Sequence, residues 1–245
     1  MWRCWALGTT LGAILFLVIA VTPAKAGDLA DFNTLMEGVT SHIRVALGYL
    51  RTGNTDLASL EIDRTREAWG KLQLHFGSRR PEMFETSPLY KKIVTGVSAR
   101  LIGADLLLNA GRPDAAMDSL NVLRGEFYDL RKGSGIVVLA DCIRDANTAM
   151  DALMTYNDRA LDFGKDETRF DLTAKSAVYA ETLKHCDSIA GETVRTEPEF
   201  RRLVDGAQAS LALIPKSIET RDADLLHRVL IELRSFDNLL AFRFG

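Results

Sequence analysis

Two aspartate–histidine pairs recur along the chain at a fixed offset. Asp31 goes with His75 and Asp141 with His185, and each residue lies 110 positions from its counterpart. A carboxylate facing an imidazole supplies either two metal ligands or a ring oriented for general-base work. If the two pairs met, Asp31, His75, Asp141 and His185 would form one shared metal site. The plainer expectation is that each aspartate accepts a hydrogen bond from its histidine and ties two helix ends together. No HExxH, ExxH or CxxC spacing accompanies them.

Haem is the other cofactor these residue types allow. Covalent attachment requires CxxCH, whereas Cys186 is followed by Asp187, Ser188 and Ile189. Non-covalent haem would draw its axial ligands from His42, His227, Met36, Met117, Met150 and Met154. Methionines at helical spacing read first as core filling. Gly133-Ser134-Gly135 has no following lysine in phosphate-loop register, so it reads as a linker. No serine, histidine and aspartate stand in a nucleophile-and-base order, and no enzyme is expected. Arg66, Arg124 and Arg234 recur at one position in three hairpins. They could share an anion, but pairing with neighbouring acids at the surface is the expectation.

These residues are positioned by a repeat. Shifted by 110, Pro88-Leu-Tyr-Lys-Lys-Ile-Val-Thr-Gly96 meets Pro198-Glu-Phe-Arg-Arg-Leu-Val-Asp-Gly206, and Leu120, Leu123 and Leu130 meet Leu230, Leu233 and Leu240. Residues 41–77 also align without a gap on 209–245. The pattern implies a tandem duplication of a four-helix unit, with a helical hairpin present four times. Apolar residues at three-and-four spacing, as in Leu120, Leu123, Phe127 and Leu130, mark buried helical faces, and no stretch alternates as a strand would. The expected fold is all-α and bundle-like, with about eight helices near 28–52, 55–76, 87–110, 113–132, 136–159, 168–192, 198–220 and 223–242. Pro215 should kink the seventh. Gly111 and Pro113 suit the turn of the second hairpin. Asp56, Asp114, Asp166 and Asp224 each start a helix, where the macrodipole favours an acid. The turn resembles that of tetratricopeptide repeats, but these helices are too long for that family.

Hairpin geometry then makes a specific claim about the cysteines. Asp31 and His75 each lie about 22 residues from the turn near Gly53-Asn54, so they stand level at the open end. Cys142 follows Asp141 and Cys186 follows His185, so the spacing predicts a Cys142–Cys186 disulfide. The corresponding positions in the first half, Phe32 and Phe76, would fill the same place by packing. Trp69 and its counterpart Tyr179 read as core aromatics.

Residues 1–26 read as a secretion signal, with an apolar core at Leu11–Val21 and Ala24-Lys25-Ala26 before a cut at Gly27. The alternative is an inner-membrane anchor through residues 5–21. The mature halves would be 27–135 and 136–245. Cleavage removes Arg3 and Lys25 from 30 basic residues and none of the 33 acidic ones, leaving a net charge of −5. That balance argues against nucleic acid as a partner. No second apolar run in the mature chain is long enough to span a bilayer. The expected protein is a non-enzymatic, periplasmic or secreted binding or scaffold module, with another periplasmic protein as partner. The alternative is a metal- or haem-binding bundle built on the Asp/His pairs.

Overall fold

The computed structural model describes residues 24–157 and 161–245, with side chains from residue 27 onward. The expected secretion signal lies outside the described residues except for Ala24–Ala26, which open the first helix. The described chain is all-α and bundle-like. Its long helices are α1 (Ala24–Arg51), α2 (Thr55–Phe76), α3 (Pro88–Asn109), α4 (Pro113–Gly133), α5 (Leu139–Met154) and α6 (Asp166–Ile189). A short α7 (Glu192–Arg195) follows, then α8 (Pro198–Leu211), α9 (Ile214–Glu219) and α10 (Ala223–Phe244). No helix among the described residues is long and apolar enough to cross a membrane.

Turn chemistry sets the hairpins. Gly53 and Gly111 adopt left-handed backbone (φ +75° and +68°), which costs glycine no Cβ clash. Asn54 caps α2 by accepting from the Leu57 N–H at 3.2 Å, and Asp222 caps α10 by accepting from Leu225 N–H at 2.8 Å. Asp56, Asp114, Asp166 and Asp224 sit in the first turns of α2, α4, α6 and α10, as their spacing requires.

Packing closes each half around its own core. In the first half α1 pairs with α2, α2 with α3, α3 with α4, and α4 returns to α1. In the second, α5 pairs with α6, α6 with α8 and α9, α8 with α10, and α10 returns to α5. The buried apolar residues accordingly form two clusters, one from Phe32 to Ile136 and one from Cys142 to Leu240. Trp69 stacks on Phe127 with centroids 6.0 Å apart, and Tyr179 is fully buried in the other bundle. Each such large side chain contributes roughly 1.5–3 kcal/mol on burial.

The open ends are closed in two different ways. Phe32 and Phe76 pack edge to face at 5.5 Å in the first bundle. At the corresponding place in the second, Cys142 and Cys186 are disulfide-bonded, with Cα atoms 5.4 Å apart. A loop closed over 44 residues restricts the unfolded chain by about 4 kcal/mol on the chain-entropy account.

Three boundaries depart from the sequence expectation. Residues 198–220 form two helices, not one kinked helix. The ring of Pro215 would strike the carbonyl of Leu211, so the helix ends there and Pro215 sits in the first turn of α9. The fifth helix starts at Leu139 and ends at Met154, since Val138 is extended and Tyr156 and Phe163 fold back into the core. The connection at 78–86 holds a 3-10 turn, Glu82–Phe84, whose Phe84 is fully buried against Phe32 and Tyr90.

Arg221 marks a local conflict. It holds φ +56° at the hairpin position that Gly53 and Gly111 occupy elsewhere. A left-handed residue with a Cβ costs roughly 1–2 kcal/mol. Arg221→Gly should therefore raise the unfolding free energy by about 0.5–1 kcal/mol after the entropy of the glycine is offset. Urea denaturation checks this, and an unchanged or lowered midpoint would contradict it.

Candidate functional site

The Asp/His residues are engaged differently from the sequence expectation. Both oxygens of Asp141 are taken by Arg131, whose Nε and Nη2 donate to Oδ2 and Oδ1 at 2.6 Å each. The planar guanidinium matches a carboxylate in a way that one imidazole nitrogen does not. His75 is exposed and directs Nδ1 to the carbonyl of Lys71, at 2.9 Å, and Asp31 is exposed. Phe32 and Phe76 hold the inward positions, and their sequence neighbours point about 100° away on each helix. The expected Asp–His hydrogen bonds therefore do not form among the described residues. His185, also exposed, lines a pocket of about 470 Å³ with Asp141, Asp145 and Glu181. The described residues contain no group of three or more His, Cys, Asp or Glu side chains gathered to hold a metal ion.

The candidate haem ligands are also dispersed. Met36 and Met150 are buried in different cores, and Met117 and Met154 pack at the edges of those cores. His227 is exposed. His42 pairs through Nδ1 with the buried Glu61 at 2.7 Å, and Arg64 donates to the other oxygen of Glu61 at 2.5 Å.

A more concentrated group of charges lies where the two bundles meet. Alongside Arg131–Asp141, the Tyr128 hydroxyl donates to Asp145 at 2.6 Å, and the Arg144 guanidinium lies over the Tyr128 ring at 4.6 Å. Arg44 of α1 donates to the carbonyl oxygen of Gly245 at 2.8 Å. Gly48 admits the Phe242 ring so closely that a Cβ there would stand 2.6 Å from it. A side chain at position 48 would require the part-exposed Phe242 ring to shift.

This seam encloses a cleft of about 540 Å³. Arg51 enters from the end of α1, Asn121 and Arg124 from α4, Arg144 and Asn147 from α5, and Arg234 and Asn238 from α10. Of the three recurrent arginines, two pair with acids as expected. Arg66 meets Asp63 at 2.9 Å, and Arg234 meets Asp151 at 2.5 Å and Asp237 at 3.2 Å. Arg124 overturns the expectation, because it has no ion pair or hydrogen bond among the described residues. Burial, and then the like charges of Arg144, Arg51 and Arg44, outweigh the more distant Asp141 and pull its guanidinium down to about 10. Arg144 and Arg51 likewise have no acidic partner among the described residues. The recurrence of Arg124 and Arg234 is visible in the sequence, but their meeting with Arg51 and Arg144 requires the packing of two bundles.

Beneath the cleft lies a buried acid. Asp237 is inaccessible, accepts from Asn147 at 2.6 Å and faces Arg234. Its Oδ1 and the hydroxyl of Tyr179 are buried without a formed hydrogen bond, and each weighs on the titration of the other. Position 237 is the counterpart of Phe127, so the Trp69–Phe127 stack of one bundle becomes Tyr179 beside Asp237 in the next. An aspartate at a core register is the sequence signal that went unused.

Burial pushes the Asp237 carboxyl up from 3.8 to about 6, against the opposing effects of Asn147 and Arg234. The folded protein therefore keeps the acid neutral up to about pH 6 and ionised above it. The stability this group contributes is full below about pH 4 and is lost as pH rises through about 6. Asp237→Asn keeps an acceptor for Asn147 and cannot ionise. Relative to the wild type, the variant should gain on the order of 2–3 kcal/mol between pH 4 and pH 7.5. Denaturant titrations at both pH values measure this, and a pH-independent difference would contradict the assignment.

Comparison of the chain with protein-family models, with curated proteins and with solved structures gives no match.

Proposed function

We propose that this chain is an exported, non-enzymatic binding module of the periplasm or cell exterior. In this proposal it arose by duplication of a four-helix bundle, and its ligand site is the cleft at the seam between the bundles. The observation that carries the reading is Arg124, a half-buried cation with no acid partner among the described residues, gathered with Arg51 and Arg144. Like charges drawn together inside a protein oppose folding unless something offsets them. Local conflicts of this kind concentrate where a chain holds a ligand. Clefts between packed units are a common place for such sites. The Cys142–Cys186 disulfide fits an oxidising compartment, which supports export.

Equilibrium dialysis of the mature protein against a small-molecule extract of the periplasm, read by mass spectrometry, tests this. The wild type should retain at least one component that an Arg124→Gln/Arg144→Gln variant releases. Equal retention by both proteins, or retention of nothing, would overturn the proposed site.

A further inference from the structure

Resting on the cleft as the ligand site, we infer that its ligand is a small oxyanion carrying at least two negative charges, of the phosphate-ester or polycarboxylate class. The charge census of the cleft points this way. Arg234 is already matched by Asp151 and Asp237, and Arg44 by Glu37 at 3.9 Å and the backbone oxygen of Gly245. Three cations, Arg51, Arg124 and Arg144, remain without an acid among the described residues. They come from α1, α4 and α5, so a monovalent ion would leave most of the excess charge in place.

Donor chemistry agrees with the charge. A guanidinium presents paired N–H groups in a planar fork that fits the two oxygens of a carboxylate or phosphate. Asn121 and Asn238 add amide donors at the rim, and Ile143 and Ala241 give only a narrow apolar wall. A cleft of about 540 Å³ suits a small molecule and is too confined for an extended polymer. The chain as a whole is acidic, with 33 acidic against 30 basic residues. An extended polyanion or an anionic membrane would therefore meet repulsion away from the cleft. Because the arginines belong to both bundles, the bound anion bridges them.

Isothermal titration of the mature protein with citrate and with pyrophosphate, at constant ionic strength, tests the ligand class. At least one probe should saturate at one per chain and bind at least tenfold more tightly than acetate. Arg124→Gln/Arg144→Gln should lose that binding tenfold or more, and Arg124→Lys should weaken it less, since it keeps the charge without the fork. Arg66→Gln, remote from the seam, should leave it unchanged. Absence of saturable binding by either probe would overturn the inference, as would equal loss in Arg66→Gln. Tighter binding to heparin or to phosphatidylglycerol vesicles than to both probes would also overturn it, assigning the cations to an extended surface. If neither probe binds but dialysis still retains an Arg124-dependent component, the ligand class fails and the cleft stands.

Discussion

Arg131 and Asp141 meet at the seam in a buried, two-pronged ion pair, ten residues apart in sequence at the end of α4 and the start of α5. Breaking such a pair leaves an uncompensated buried charge, at a cost of about 3–5 kcal/mol. The pair therefore sets how the second bundle leaves the first. Helix geometry carries the consequence outward. Asn121, Arg124, Tyr128 and Arg131 follow one another at three- and four-residue steps, so they share a face of α4. Asp141, Arg144 and Thr148 do the same on α5, with Asp145 four residues on from Asp141. The contact that joins the bundles also turns Arg124 and Arg144 toward one cleft.

That arrangement divides the charged residues of the seam into two classes. Arg131, Asp141, Tyr128 and Asp145 satisfy one another and hold the geometry. Arg51, Arg124 and Arg144 have no acidic counterpart among the described residues, and of the three Arg144 lies against the first group, over the Tyr128 ring. Asn147 and Arg234 extend the network down to Asp237, linking the cleft to the interior of the second bundle.

Much of the fold was legible because local rules wrote it. The left-handed glycines 53 and 111, the first-turn aspartates and the level placement of Cys142 and Cys186 each follow from hairpin geometry alone. The seam was not legible. Three-and-four periodicity identifies the face of α4 that carries Leu120, Leu123, Phe127 and Leu130, but the adjacent face, with Arg124 and Arg131, has the composition of a solvated surface. Nothing local distinguishes water from a second bundle. The Asp/His pairs misled for a related reason. Level position along two helices does not fix the direction of a side chain around each axis, and Phe32, Phe76 and the cysteines took the inward positions. Positions 110 residues apart also diverge in kind: Phe127 against Asp237, Gly111 against Arg221. At these positions the second bundle carries polar groups, of which Asp237 lies beneath the cleft.

If Arg124 and Arg144 are held at the seam for an anion, their side chains should report its binding directly. In an arginine-selective proton–nitrogen NMR titration of the mature protein with citrate, the Nε–H signals of Arg124 and Arg144 should move together and saturate. Those of Arg66 and Arg131, already paired with Asp63 and Asp141, should stay in place. Movement of every arginine in proportion to salt, or none at Arg124 and Arg144, would contradict the account.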